Sequence, residues 1–241
     1  MGKSWLADTV PAPRLILDAE GGSQFTPSRP KVVWDPIQYA PPGVEGCAPG
    51  QEELPPTTRV MVRDFATMNR VYQWLNAGRH RFRSLAMDSL TEIQKRCLDD
   101  ISGGHTPERQ DWGDLLTAME LLVRQYRDLR SHPTAPLQVI TILALQDPDK
   151  KGAKRPHIRG QLAGSLAGFV DTVSHLSTVT DEQGRLRRTL TSAPYPGIEA
   201  KDRTDALPPV ALLADPKEQL PGYDMASLFG LVEAMHGGAT Q

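Results

Sequence analysis

Short apolar segments alternate with amphipathic segments of helical period, and this alternation constrains the fold more than any other feature of the chain. The strand-like segments are Arg14–Asp18, Lys31–Trp34, Val60–Val62, Phe82–Met87 and Leu137–Leu145. The helical segments are Trp5–Thr9, Phe65–Leu75, Leu90–Ile101 and Leu115–Leu129. Strands that alternate with helices are typical of right-handed βαβ crossovers. The pattern predicts an α/β fold with a mainly parallel sheet flanked by helices, in which Leu137–Leu145 is fully buried.

The last third of the chain has a different pattern. Gly168–Thr178 and Arg185–Ser192, joined by the turn Asp181–Gly184, predict an antiparallel hairpin added to the sheet edge. A final helix is expected over Met225–Met235. We therefore assign residues 1–209 to one α/β core and residues 210–241 to a C-terminal tail and helix.

Proline is concentrated in one stretch, since eight of the 21 prolines fall between Thr26 and Thr58. Such a stretch continues neither a helix nor a central strand. We expect residues 26–58 to be a long surface insertion around one short strand. Its Trp34 and Tyr39 either anchor the insertion or stack on a base.

Composition narrows the class of protein. A chain of 241 residues with 39% hydrophobic content can bury one substantial core, and a net charge of -2 means that any nucleic-acid contact must be local. Two cysteines without C-x-x-C spacing favour a reducing compartment, and the six scattered histidines imply no metal site. No apolar run is long enough to span a bilayer. We expect a cytoplasmic protein without membrane contact.

The segment Gly2-Lys3-Ser4 matches the last three positions of the phosphate-binding loop G-x-x-x-x-G-K-[ST]. In that loop backbone N–H groups wrap the phosphates, the lysine reaches the terminal ones and the hydroxyl holds Mg²⁺. Three matching residues are often accidental. The strands that follow, each ending in acidic residues, favour the functional interpretation.

Three carboxylates follow strands, at the sheet edge where open α/β folds carry their chemistry. Asp88, followed by Ser89, is typical of a Walker B aspartate that holds Mg²⁺, and the alternative is that it caps the next helix. Glu20 is placed to orient or deprotonate a water, or is an exposed turn residue. Asp18 ends the first of these strands.

The arrangement resembles the RecA-like P-loop ATPases, and most closely the phage group that binds single-stranded DNA and promotes annealing or recombination. The resemblance runs from Gly2 to about Pro209, through Gly2–Ser4, Leu15–Gly22, Leu85–Glu92, the strand ending near Gln146, and Ala200–Arg203. It implies a RecA-like P-loop NTPase fold of which the first strand and the front half of the loop are missing.

The resemblance also implies roles for individual residues. Gly2, Lys3 and Ser4 would bind ATP, Ser4 with Asp88 would hold Mg²⁺, and Glu20 would be the catalytic carboxylate. Further along the chain, Gln146 would sense the γ-phosphate, and Lys201 with Arg203 would reach a neighbouring subunit's nucleotide. The ATP site would then be complete only in a homo-oligomer, a ring or a filament.

A basic segment follows Gln146, at the place where RecA-like proteins carry a DNA-binding loop. Between Gln146 and Gly160 it has five basic and two acidic side chains, and the basic ones are Lys150, Lys151, Lys154, Arg155 and Arg159. Such a loop can track a phosphate backbone and release counterions. The alternative is ordinary solvated surface, and the loop lacks the aromatic side chains typical of single-strand binders.

The absent front half of the loop matters for affinity. Hydrogen bonds to charged groups contribute roughly 1.5–3 kcal/mol each, so losing about three phosphate-facing N–H groups forfeits on the order of 4–9 kcal/mol. A micromolar nucleotide has about 8 kcal/mol in total. The missing strand would also leave neighbouring strands unpaired. We therefore expect the chain to be a fragment with an internal start at Met1.

Two other classes of function stay open. One is a non-catalytic interaction module that keeps the core as a scaffold for a recombination or replication partner. The other is a different P-loop enzyme, such as a small-molecule kinase or a packaging motor. A motor normally has a glutamate directly after the Walker B aspartate, where this chain has Ser89.

Overall fold

A parallel sheet of five strands forms the centre of the computed structural model, which describes residues 2–148, 154–159, 162–215 and 218–236. In chain order the strands are β1 (Arg14–Asp18), β2 (Lys31–Val33), β3 (Thr57–Met61), β4 (Ser84–Asp88) and β5 (Val139–Leu143). Their order across the sheet is β2-β3-β1-β4-β5, and all four pairings are parallel. The predicted α/β class with a mainly parallel sheet is confirmed.

Five of the six helices in the described residues lie where the apolar periodicity predicts a helix, and α5 is the exception. They are α1 (Lys3–Ala7), α2 (Phe65–Asn76), α3 (Leu90–Ser102), α4 (Arg109–Asp128), α5 (Leu162–Phe169) and α6 (Met225–His236). Asp64 caps α2 by accepting a hydrogen bond from the N–H of Thr67. Gly103, with φ of 59°, ends α3 in the left-handed conformation that glycine adopts without strain.

Two apolar layers cover the two faces of the sheet. The larger layer packs α2, α3, α4 and α5 on one face, and its sheet residues include Leu85 and Met87. The smaller layer packs α1 and α6 on the other face, where Ala86 meets Leu6 and Leu228. Successive residues of a strand point to opposite faces, so β4 supplies both layers and is buried along its whole length.

The remaining strands form small antiparallel groups outside the main sheet. β6 (Gln146–Pro148) pairs with β7 (Lys154–Pro156), and β8 (Thr172–Val173) pairs with β11 (Lys201–Asp202). The third group has the order β12-β10-β9 and consists of β9 (His175–Thr180), β10 (Leu186–Thr191) and β12 (Val210–Leu212).

The predicted hairpin exists, but two details of the prediction are wrong. Its first strand begins at His175, because the preceding Leu162–Phe169 is a helix whose Leu162, Ala163 and Leu166 pack on the core. The hairpin also pairs with β12 and not with the main sheet. Since β12 lies beyond residue 209, the tail segment joins the three-stranded group, and the proposed domain boundary stays a prediction.

β5 is less buried than its composition predicted, because it is paired on one edge only. Four of its five residues are partly exposed. Among the described residues no strand pairs with its second edge. A groove of about 720 Å³ lies along that edge, with Ile140 and Ile142 on one side and side chains such as Leu176 and Val232 on the others.

The proline-rich insertion is held by two tryptophans. Trp34 is 1% exposed, and its indole N–H donates to the carbonyl of Tyr39 at 3.0 Å. Trp74 of α2 donates to the carbonyl of Pro36 at 3.0 Å. Of the two roles considered for Trp34, its burial supports anchoring.

Candidate nucleotide and metal site

The tips of β1 and β4 lie side by side, because the two strands are parallel neighbours. Asp18 and Asp88, the last residues of these strands, are paired in register. The turn after β1 carries Glu20, and helix α1, which packs beside β4, carries Lys3 and Ser4. The topology therefore brings four of the predicted site residues to one edge of the sheet. We call Lys3, Ser4, Glu20 and Asp88 the strand-tip cluster.

Glu20 has two partners in this cluster. Its carboxylate oxygen Oε2 lies 3.4 Å from the ammonium Nζ of Lys3, and the two side chains are 29% and 21% exposed. Its other oxygen accepts a hydrogen bond from the hydroxyl of Ser89. The carboxylate is thus held at the mouth of the site, where water can reach it.

Asp88 is the buried member of the cluster. It is 0% exposed, and neither carboxylate oxygen has a hydrogen-bond partner of good geometry among the described residues. Burial raises the pKa of Asp88, while the neighbouring Ser4 hydroxyl acts in the opposite direction and the charge of Glu20 adds to the rise. A buried carboxylate without a partner is costly unless a cation or proton meets it. Asp88 is thus a carboxylate that a cation at this position would stabilise.

Gly22 shows how closely the backbone approaches Ser4. A Cβ atom added at Gly22 would lie 2.5 Å from the Ser4 hydroxyl oxygen and 3.9 Å from Oδ2 of Asp88. A side chain at this position would force the Ser4 hydroxyl to shift, so the turn after β1 packs its backbone closely against the hydroxyl and the carboxylate. Glycine permits this close approach.

Asp18 has a structural role in the site. Its oxygens accept hydrogen bonds from the N–H of Gly21 at 2.7 Å, from the N–H of Ser23 at 3.0 Å and from the Ser23 hydroxyl at 2.5 Å. These bonds fold the turn that presents Glu20. Asp18 also lies 4.0 Å from the guanidinium of Arg59. The carboxylate of Asp18 is therefore occupied by contacts within the protein.

Two contributors were not identified from the sequence. Ser89, which in the sequence only follows the Walker B aspartate, donates its hydroxyl hydrogen to Glu20. Arg96 of α3 donates to the carbonyl of Ala19 at 2.9 Å and to that of Arg63 at 2.9 Å, which fixes the turn from a second side. Neither contact has a local sequence signal, because both join elements distant in the chain.

Gly2 immediately precedes α1, and its carbonyl accepts the first hydrogen bond of that helix, from Leu6 at 3.0 Å. Its φ of 121° is a conformation that favours glycine. A Cβ there would also lie 3.1 Å from a side-chain carbon of Arg188. Gly2 thus leads the backbone into the helix that carries Lys3 and Ser4.

Gln146 and Arg203 line the same groove as Lys3 of the cluster, whereas Lys201 is not among its lining residues. Gln146 begins β6 and does not end the buried strand, and its side-chain oxygen contacts Nε2 of His175 at 2.5 Å. Lys201 is paired with Val173, while the side chain of Arg203 is exposed. Within the described parts of the chain, no hydrogen bond or ion pair joins these three residues to the cluster. Their roles stay predictions.

The basic segment is described in part. Lys154 and Arg155 are exposed on β7. Arg159 is also exposed, and its guanidinium lies 5.1 Å from the ring centre of Trp112 in a cation–π contact. An aromatic side chain from α4 therefore lies next to a segment that has none of its own. Lys150 and Lys151 lie outside the described residues.

The oxygen atoms of the cluster are of the kind that Mg²⁺ binds. Over the residues that the structure describes, no group of three or more His, Cys, Asp or Glu side chains is arranged to hold a metal by itself. Mg²⁺ does not require such a group, because it is usually bound by one or two carboxylates, waters and substrate phosphates. The unpartnered Asp88 and the adjacent Ser4 hydroxyl would be its ligands.

The parallel sheet, the flanking helices and the acidic strand tips define a P-loop NTPase fold. The model of the AAA domain family matches residues 1–204, so the chain belongs to that family of nucleotide-binding ATPases. No curated protein matches the chain. In the described segments, no helix has both the length and the apolar character needed to cross a membrane.

Proposed function

We propose that the protein is a Mg²⁺-dependent, RecA-like ATPase that acts on single-stranded DNA in recombination or annealing of the phage type. The observation that supports the proposal most directly is the strand-tip cluster. It places an ammonium, a hydroxyl, one exposed carboxylate and one buried carboxylate at the ends of neighbouring parallel strands.

Each member of the cluster has a distinct task in this proposal. The Lys3 ammonium binds the terminal phosphate and withdraws negative charge from it. Ser4 and Asp88 hold the cation, which neutralises phosphate charge when bound. Glu20, at the exposed mouth, orients a water and accepts its proton as the water attacks the γ-phosphate. Ser89 keeps the Glu20 carboxylate in place.

DNA binding is assigned to the basic side chains of the segment between Gln146 and Gly160. Lys154 and Arg155 are exposed on β7, as backbone-tracking side chains must be. Gln146 would report the state of the nucleotide to this segment. Lys201 and Arg203 would serve a neighbouring subunit in a homo-oligomer.

The decisive experiment measures ATP hydrolysis with and without single-stranded DNA. A complete phosphate loop has the positions G-x-x-x-x ahead of Gly-Lys-Ser, so the assay compares the chain with a version to which these positions are added. Turnover that requires Mg²⁺, rises with DNA and disappears in Glu20→Gln would support the proposal. Turnover that survives in Glu20→Gln would remove the catalytic assignment. Absence of nucleotide binding in the same protein would favour a scaffold that interacts without catalysis.

A further inference from the structure

Helix α3 carries two polar side chains on its buried face. Thr91 is 3% exposed and Gln94 is 5% exposed, and they lie among the buried apolar residues Leu90, Ile93 and Cys97. Burial of a polar side chain is costly unless it forms hydrogen bonds. The partners of Thr91 and Gln94 therefore indicate what these residues do.

Thr91 joins the two arms of the basic segment. Its hydroxyl oxygen accepts a hydrogen bond from the N–H of Leu145 at 3.0 Å, and the hydroxyl donates to the carbonyl of His157 at 3.0 Å. Leu145 lies directly before β6 and His157 directly after β7. One side chain of α3 thus contacts both arms at the base of this hairpin.

Gln94 makes a second attachment one turn further along the same helix. Its side-chain oxygen accepts from the N–H of Arg159 at 2.8 Å, and its amide nitrogen donates to the carbonyl of Arg159 at 3.3 Å. The primary amide therefore pairs with both polar groups of a single residue. This two-point contact fixes the orientation of the backbone as well as its position.

The same N-terminal end of α3 borders the strand-tip cluster. Asp88 is followed at once by Ser89, which is the N-cap residue of α3 and whose hydroxyl donates to Glu20. From Leu90, the first residue of α3, to Gln94 is four residues, or about 6 Å along the helix. The first two turns of α3 are thus in contact with the cluster through Ser89 and with the basic hairpin through Thr91 and Gln94.

We propose that Thr91 and Gln94 are positioning residues that couple cation binding at the strand-tip cluster to the placement of the basic hairpin. By the basic hairpin we mean strands β6 and β7 of the basic segment, with the residues Leu145, His157 and Arg159 that flank them. A cation that draws Asp88 or Glu20 toward itself changes the contact of Ser89 and displaces the start of α3. The helix is stiff, and its two side chains carry the displacement to Leu145, His157 and Arg159. The part of this inference that concerns DNA rests on the proposed function.

The first test does not need DNA. Amide hydrogen exchange is measured at Leu145 and Arg159, whose N–H groups donate to α3, with and without MgCl₂ at constant ionic strength. We expect Mg²⁺ to change these exchange rates by about fivefold or more in the wild-type chain, the lower end of typical coupling between sites. The change should be absent in Asp88→Asn. Equal rates with and without Mg²⁺ in the wild-type chain would overturn the inference.

Variants of α3 show whether Thr91 and Gln94 transmit the effect of Mg²⁺ to the basic hairpin or only hold the hairpin in place. Thr91→Val with Gln94→Leu should abolish the Mg²⁺ response, while Thr91→Ser, which keeps the hydroxyl, should retain it. Gln110→Leu, at an exposed helical glutamine of α4, is the matched control and should behave as wild type. A Val/Leu double variant that still responds to Mg²⁺ would show that the coupling runs through other residues.

The second test follows the hairpin's effect on DNA. The dissociation constant of a fluorescent oligothymidine is measured by anisotropy with and without Mg²⁺ at matched ionic strength. The Mg²⁺ response should be present in wild type and Thr91→Ser and lost in Asp88→Asn and in the Val/Leu double variant. If no variant binds the oligonucleotide, the proposed DNA function fails, while the exchange experiment still decides whether α3 couples the two sites.

Discussion

The ammonium of Lys3 lies 3.4 Å from the carboxylate of Glu20. In the proposed mechanism Lys3 binds the terminal phosphate and Glu20 activates the attacking water, yet without substrate the two charges neutralise each other. The ion pair keeps two opposite charges at the site mouth. A phosphate that takes the lysine frees Glu20 to accept a proton.

Removing this ion pair should cost little stability, because both partners are partly exposed and exposed pairs contribute about 0–1 kcal/mol. Lys3→Ala should therefore unfold in denaturant within about 1 kcal/mol of wild type. In the version with the added loop positions, the same change should abolish ATP turnover. A large loss of stability would mean that Lys3 has a structural role, and unchanged turnover would contradict its assignment to phosphate.

Asp88→Asn should stabilise the protein and abolish Mg²⁺ binding. Burial raises the pKa of Asp88, so ionisation of this group disfavours the folded state as pH rises through that pKa. The neutral amide carries no charge to bury, and we expect a higher unfolding free energy than that of wild type at neutral pH. Denaturant unfolding and calorimetric Mg²⁺ titration measure the two effects. Because protons compete for Asp88, wild-type Mg²⁺ affinity should fall as pH is lowered toward the raised pKa.

Gly22→Ala should weaken the metal site through sterics. The new methyl group would lie 2.5 Å from the Ser4 hydroxyl oxygen, so the hydroxyl must leave its present position in the cluster. We expect weaker Mg²⁺ binding by about tenfold or more, which corresponds to about 1.4 kcal/mol. Gly113→Ala is the matched control, because its Cβ meets nothing within 4 Å in α4, and alanine there should stabilise by about 0.5–1 kcal/mol. Equal Mg²⁺ affinity in the two variants would exclude the steric argument.

His80 should make stability depend on pH between about 6.5 and 4. It is 7% exposed and stacks on Phe82, and burial, aided by the charge of His132, lowers its pKa to about 4. Because the folded-state pKa lies below the unfolded value of about 6.5, the contribution is complete above pH 6.5 and is lost as pH falls toward 4. This contribution of neutral His80 to the unfolding free energy is roughly 3 kcal/mol.

Unfolding free energies measured across this pH range test the assignment. His80→Phe should flatten the profile, whereas His105→Phe, at an exposed histidine, should leave it unchanged. If His80→Phe retains the wild-type slope, another group accounts for the pH dependence.

Lys154→Ala with Arg155→Ala should weaken binding of single-stranded DNA and flatten its salt dependence. Each lost phosphate contact lowers the slope of log K against log salt by about 0.7, so the double variant should lose about 1.4. Arg70→Ala, at an exposed arginine of α2, provides the control and should keep the wild-type slope. The same salt slope in the double variant would remove β7 from the DNA-binding surface.

The sheet and the strand-tip cluster could be predicted from the sequence because their signals are local. Apolar strands that end in Asp18 and Asp88 must expose their carboxyl ends at one edge when the strands are parallel neighbours. The close approach of Gly22 to Ser4 could not be predicted, since it depends on how the turn after β1 packs against α1.

Other contacts needed the three-dimensional fold. The α5 segment contains Gly164 and Gly168, which weaken a helical pattern, and it is helical because Leu162 and Leu166 pack on the core. The contact of Gln146 with His175 joins segments that no spacing rule connects. Thr91 and Gln94 did carry a signal, because they are polar positions inside an otherwise apolar helical stripe.

The second edge of β5 has a consequence for handling the protein. Among the described residues no strand pairs with that edge, so its main-chain hydrogen-bond donors and acceptors face the apolar groove. An extended polypeptide that enters the groove can form main-chain hydrogen bonds with β5 and bury apolar side chains. The protein should therefore tend to aggregate at high concentration by pairing of strands at this edge, and it should remain monodisperse in dilute solution.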